Sequence, residues 1–136
     1  MALYLDPSAL VRRYVHALGH DLVLATMAGA TEWCTSSLTL SECQLALRQM
    51  TMSSAQFDRL NASLQRDWAA CWVIPIDDRC LARAAQLGAQ FGLRTVDALH
   101  IAAADRLPRP AALLTFDRHQ IPAATALNFE VISPLA

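Results

Sequence analysis

Lysine is missing from this 136-residue chain: all eleven of its basic residues are arginine. That excludes a P-loop lysine, a Schiff-base lysine, and the lysine a phospho-receiver domain needs beside its acidic pocket. A basic excess is missing too. The formal net charge is −1, so no global positive field attracts nucleic acid, and any such contact must use local arginines and metal. No apolar run approaches the ~18 residues of a membrane span; stretches such as 22–31 are far shorter and are broken by Thr26 and Gly29. The start, MALYLDPSAL, lacks the basic segment of a signal peptide and meets Asp6 almost at once. These absences predict a cytoplasmic protein with no membrane contact. Cysteine pairs are not evident either: Cys34, Cys43, Cys71 and Cys80 show no C-x-x-C spacing, which predicts buried, reduced thiols. His16 and His20 lie four apart, but Gly19 stands between them and no cysteine is near, so a zinc site is a minor reading.

Apolar residues are plentiful, at 54% of the chain, enough for a single domain over residues 1–136 that buries about two-thirds of its unfolded surface. The surplus suggests that a partner chain covers some of it. β-like runs at 2–5, 33–37, 71–76, 111–116 and 129–133 alternate with helical patterns. The helical stretches run from Asp6 through Val15, then over 21–30, 38–50, 53–70 and 77–91, through the segment around Asp97, and briefly after Asp117. This rhythm predicts an α/β domain, a parallel sheet covered by helices on both faces.

In such sheets ligands bind at the carboxyl ends of the strands, and four acids fall there. Asp6 follows LYL and precedes Pro7, the pattern of a helix N-cap. Glu42 stands three after Thr39, a capping-box spacing, yet aligns with Leu38, Leu45 and Ala46 on the face expected to point inward. Asp97 interrupts LRTVDALHIAAAD, a helix apolar nearly all round, where it could belong to a first turn capped by Thr95. Asp117 follows LLTF, where aspartate commonly caps. Each alone has a structural explanation. Together, four carboxylates on one sheet edge repel and need protons or a cation, and an all-oxygen set selects Mg²⁺ or Mn²⁺ over zinc. The other acids, Asp58, Asp67, Asp77, Asp78 and Asp105 among them, sit beside arginines and read as solvated charges.

The blocks LYLDPSALVRRYV, LTLSECQLAL, LRTVDALHIAAA and LLTFDRHQ, in this order and spacing, resemble the four motif blocks of the PIN domain, in particular the small VapC-type toxins of bacterial VapBC toxin–antitoxin pairs. The resemblance spans residues 3–133 and implies a three-layer α/β/α fold with about five parallel strands. It further implies an Mg²⁺- or Mn²⁺-dependent endoribonuclease, with Asp6, Glu42, Asp97 and Asp117 as catalytic, metal-holding positions. Ser8 and Thr115 match hydroxyl positions that support the acids. Arg12, Arg13, Arg94 and Arg118, near these blocks in sequence, are candidates for the RNA backbone. The family implies a VapB-type antitoxin and a homodimer. Met50, Met52, Phe57, Leu60 and Leu64 on the helix pair at 50–70 are the expected antitoxin surface, and Trp33, Trp68 and Trp72 are either interface anchors or core. Two alternatives stay open: a PIN-like module that binds RNA or protein without cutting, and a housekeeping PIN nuclease without an antitoxin. An unrelated phosphatase would need a D-x-D motif and a lysine, and neither is present.

Overall fold

The computed structural model describes residues 1–134. Five strands, β1 (Ala2–Leu5), β2 (Glu32–Ser36), β3 (Trp72–Ile74), β4 (Ala111–Leu114) and β5 (Glu130–Ile132), form one sheet in the order β3-β2-β1-β4-β5. All four pairings are parallel. Among the described residues seven α-helices cover it: α1 (Pro7–Leu10), α2 (His20–Gly29), α3 (Thr39–Met50), α4 (Ser54–Ala70), α5 (Asp78–Phe91), α6 (Thr95–Ala104) and α7 (Ile121–Ala126).

Side chains alternate across the sheet because a strand has a period of two, and β1 shows the result. Leu3 and Leu5 join a core with α1 to α4, built on Leu10, Val23, Met27, Leu47, Phe57 and Leu64. Tyr4 points the other way, into a core with α5, α6 and α7 that includes Leu87, Ile101 and Leu113. This is the predicted three-layer α/β/α arrangement. Helix α6 is buried from Ala98 through Ala104, as its nearly uniform apolar character requires.

The chain order matters more than the strand count. From β1 it moves outward to β2 and β3, then returns to place β4 on the other side of β1. Between β1 and β4 the order reverses, and the crevice above their carboxyl ends is where such sheets bind ligands. Asp6 ends β1 and is tied by its backbone N–H to the Leu114 carbonyl at the end of β4.

One local expectation fails. The first helix, expected to reach Val15, stops at Leu10 and tightens into a 3₁₀ turn over Val11–Arg13. The following loop folds back over Phe116: Gly19 has φ +90°, and a Cβ there would stand 2.2 Å from the Phe116 ring. Only glycine supplies both the left-handed backbone and the space. Among the described residues no helix is long and apolar enough to cross a membrane. The four cysteines are free thiols, three of them buried and Cys71 half-buried.

Candidate active site

Asp6, Glu42, Asp97 and Asp117 line one cavity of about 260 Å³, together with Pro7, Ser8, Val11, Ala46 and His100. They come from the end of β1, the first turns of α3 and α6, and the turn after β4. The sheet edge thus gathers four acids that are far apart in sequence.

Each acid is held by its own neighbours. Asp6, only 3% exposed, caps α1 by accepting from the Ser8 backbone N–H at 3.1 Å, and the Ser8 hydroxyl donates to the same Oδ2. Its Oδ1 accepts from the Gln120 amide at 2.9 Å. Gln120 is oriented in turn by the Thr115 hydroxyl, which donates to its Oε1 at 2.8 Å. The Ser8 hydroxyl oxygen accepts from the Phe116 N–H at 2.9 Å, and that of Thr115 accepts from the Asp117 N–H at 3.0 Å. Ser8 and Thr115 therefore stitch the β1 and β4 termini together. Asp117 caps its own turn by accepting from the His119 backbone N–H at 2.9 Å and lies 3.0 Å from the His119 ring nitrogen.

Glu42 departs from the capping-box expectation. The N-cap of α3 is Leu38, with no side-chain cap bond. The Thr39 hydroxyl is instead buried 2.7 Å from that of Thr35, and Glu42 Oε1 lies 2.6 Å from His100 Nε2. The expected inward neighbour Leu45 is 67% exposed, because the buried stripe of α3 runs through Thr39, Cys43 and Leu47. Thr95 does not cap α6 either: Arg94 occupies the N-cap without a side-chain bond.

The electrostatics carry the mark of crowding. Burial, then contact with Asp117 and the charge of Asp6, pushes the Asp97 carboxyl up to about 6. Asp117 moves the other way: burial opposes it, but hydrogen bonds from the His119 N–H, Asp97 and the His119 ring hold it below the usual carboxylate range. The two carboxyls of this pair are pushed apart, Asp97 up and Asp117 down, the expected response of like charges in contact. The donor set is all oxygen, hard and anionic, and fits a hard divalent cation. Among the described residues no three His, Cys, Asp or Glu side chains are gathered closely enough to chelate one ion. Asp6 is engaged by Ser8 and Gln120, Glu42 by His100 and Asp117 by His119.

The arginines separate into two groups. Arg12 donates from Nε to the Ser8 carbonyl and from Nη1 to the Leu18 carbonyl, and it stacks on Phe116 at 4.3 Å. Arg13 pairs with Asp67 at 2.8 Å and lines a separate cavity with Tyr14. Arg94 and Arg118 are exposed, and among the described residues their side chains show no hydrogen bond, ion pair or ring contact. Asp67, expected to be a solvated charge, is half-buried and also accepts from the Tyr14 hydroxyl at 2.6 Å. Asp105 likewise pairs with Arg83 and Arg109. His16 and His20 lie with ring centroids 4.6 Å apart, but His20 Nδ1 is taken by the Arg12 carbonyl.

His100 and Gln120 were not singled out from sequence. The available signal was spacing: His100 follows Asp97 by three, one turn on along the same helix face, and Gln120 follows Asp117 by three.

A family model for the PIN domain matches residues 3–126. Ribonuclease VapC46 of Mycobacterium tuberculosis (strain ATCC 25618 / H37Rv) is 32% identical over 134 residues, 98% of each chain. Among solved structures, a toxin–antitoxin complex from Klebsiella pneumoniae superposes with TM-score 0.71 at 16% identity, over 98% of each chain. VapBC2 from Rickettsia felis, bound to a DNA fragment from the promoter, gives 0.68 at 16% identity over 98% of each chain. At that identity the structures speak for the fold, while the family model and VapC46 decide the kinship. The chain belongs to the PIN domain family, and within it to the VapC type.

Proposed function

We propose that the chain is a metal-dependent endoribonuclease acting as the toxin of a toxin–antitoxin pair. The observation that carries this reading is the convergence of Asp6, Glu42, Asp97 and Asp117 on one cavity, in a chain whose relative VapC46 is a ribonuclease. Asp6, Glu42, Asp97 and Asp117 would hold Mg²⁺ or Mn²⁺, and the ion when bound supplies Lewis-acid activation of water and neutralises charge on the scissile phosphate. The chain's own part is placement. Ser8 and Gln120 hold both oxygens of Asp6, Thr115 anchors the turn of Asp117, and α6 aims Asp97 from a rigid apolar mount. Asp97, which lines the cavity with the other three acids, is suited to orient an attacking water.

Arg94, at the start of the helix that carries Asp97, and Arg118, beside Asp117, are exposed and suited to the RNA backbone through guanidinium forks. Arg12 and Arg13 have intramolecular partners instead. The proposed antitoxin surface lies at the α3–α4 corner but differs in composition from expectation. Phe57 and Leu64 are core residues, whereas Met52 is 94% exposed, and Met50 and, seven residues before Met52, Leu45 are exposed too. Trp72, 67% exposed on edge strand β3, is a candidate anchor for a homodimer, whereas Trp33 is half-buried and donates to the Met27 carbonyl.

The test is RNA cleavage by the parent and by Asp97→Asn at matched Mg²⁺ or Mn²⁺. Loss of cleavage with an unchanged circular dichroism spectrum is expected. Equal cleavage would overturn the site.

A further inference from the structure

His100 is 1% exposed, an imidazole inside an otherwise aliphatic helix core. We propose that it is a positioning residue for the metal site, one that sets the orientation of Glu42 from α6; the inference rests on the metal-dependent reading above.

Three contacts, none local in sequence, define its role. Nε2 lies 2.6 Å from Glu42 Oε1. Nδ1 lies 2.9 Å from the Tyr4 hydroxyl and 3.3 Å from that of Ser36. A carboxylate oxygen only accepts, so Nε2 carries the hydrogen and donates. Nδ1 of the neutral ring then accepts from Tyr4, whose hydroxyl is fully buried. If the ring takes a second proton, Nδ1 donates to the Tyr4 oxygen and the bond to Glu42 is unchanged. The positioning therefore does not depend on the charge state of His100.

The same ring also reaches the start of the Glu42 helix. Ser36 Oγ, within reach of Nδ1, accepts from the Leu38 N–H at 3.2 Å, and Leu38 is the N-cap of α3. His100 thus contacts the acid of α3 directly and its N-cap residue through Ser36. Because it sits one turn beyond Asp97 on α6, a single rigid helix presents one acid directly and fixes the direction of another. Glu42 needs this. Its side chain is 37% exposed, and it has no bond to its own helix terminus to hold it. With Oε1 engaged by His100, Oε2 is left for the cation. Oxygen ligands are held this way in other metal sites, where loss of the outer partner typically weakens metal affinity about 10- to 100-fold.

The experiment measures Mn²⁺ affinity by titration, using the electron paramagnetic resonance of free Mn²⁺, for parent, His100→Asn, His100→Gln and Tyr4→Phe. Thermal melts without metal serve as the control for folding. Glutamine can place an N–H near the Nε2 position, whereas asparagine is too short to reach Glu42. Expected are a Kd raised about tenfold or more in His100→Asn, recovery to within about threefold of parent in His100→Gln, and a smaller weakening in Tyr4→Phe, which frees the ring. A merely structural histidine would lower the melting temperature of both His100 variants without separating their Mn²⁺ affinities, and that result would overturn the inference. Should His100→Asn fail to fold, equal Mn²⁺ affinity in Tyr4→Phe, His100→Gln and parent would overturn it as well. Mn²⁺ binding by none of the proteins, parent included, would remove the metal reading itself, a failure recognisable without the variants.

Discussion

The half-buried carboxylate of Asp67 and the four carboxylates of the acid cavity are treated in opposite ways. Asp67 on α4 is neutralised from within: Arg13 pairs with it at 2.8 Å, the Tyr14 hydroxyl donates to the same oxygen, and Arg13 lies over Trp33. Asp6, Glu42, Asp97 and Asp117 share a smaller space, and none of them is ion-paired with an arginine among the described residues. Their partners are hydroxyls, an amide and imidazoles. A fold that needs a buried acid only for structure supplies the counter-charge itself, because an unpaired buried charge costs several kcal/mol. The cavity that collects four carboxylates instead sets imidazoles beside Glu42 and Asp117 and, among the described residues, no arginine against any of the four.

The contrast predicts different outcomes for similar substitutions. The largest effect belongs to the acid cavity. Asp97→Asn lowers metal-dependent RNA cleavage about 100-fold or more, read as initial rates on a labelled RNA, while Asp67→Asn leaves the rate per folded molecule unchanged. On stability the order reverses. Asp67→Ala strands Arg13 and Tyr14 and costs about 2 kcal/mol in denaturant titrations, whereas Asp97→Asn costs nothing in the absence of metal. A smaller effect comes from mass action. At a tenfold excess over its Kd, Mn²⁺ stabilises the parent by about 1.4 kcal/mol, seen as a higher melting temperature; the shift is reduced in Asp97→Asn and retained in Asp67→Asn.

The last contrast is in pH dependence. Asp97 has its carboxyl raised to about 6 in the folded protein, above the ordinary value of 3.8. Between those values the native state binds more protons than the unfolded chain, so this group's contribution is fully favourable below about 4 and is lost as pH rises through 6. Melting temperatures of metal-free parent and Asp97→Asn should therefore diverge from pH 4 to pH 7, with the asparagine variant the more stable at the upper end. Coincident curves across that range would show that neither burial nor the carboxylates of Asp117 and Asp6 perturb Asp97, and would weaken the contrast with Asp67.

Much of the site could be read from residue types and order. Each acid sits immediately after a strand or in the first turn of a helix, and a parallel sheet has one edge where all such positions meet. Two of the failures have a common origin. Thr39 and Glu42 have the spacing of a capping box, but Thr35 claims the threonine and His100 claims the glutamate. Leu45 was assigned inward by periodicity, yet the buried stripe of α3 falls one residue-width away, on Cys43 and Leu47. Asp67 looked solvated because its partner Arg13 is 54 residues distant. For Glu42 and Asp67 a long-range partner outcompeted a local one, and local spacing holds no record of such partners.

What the sequence determined by itself was therefore the alternation of elements, the all-oxygen chemistry of the four acids, and the exclusion of lysine-dependent reactions, since these follow from residue identity and short-range geometry. The tertiary structure decided which neutral groups hold those acids and which arginines remain free. Hydrogen bonds at 2.6 to 2.9 Å between residues 58 to 114 positions apart, such as His100 to Glu42 and Gln120 to Asp6, exist only once the sheet has brought its strand ends together. Directional contacts of that kind depend on placement to within about half an ångström, and only the packed cores on the two faces of the sheet supply it.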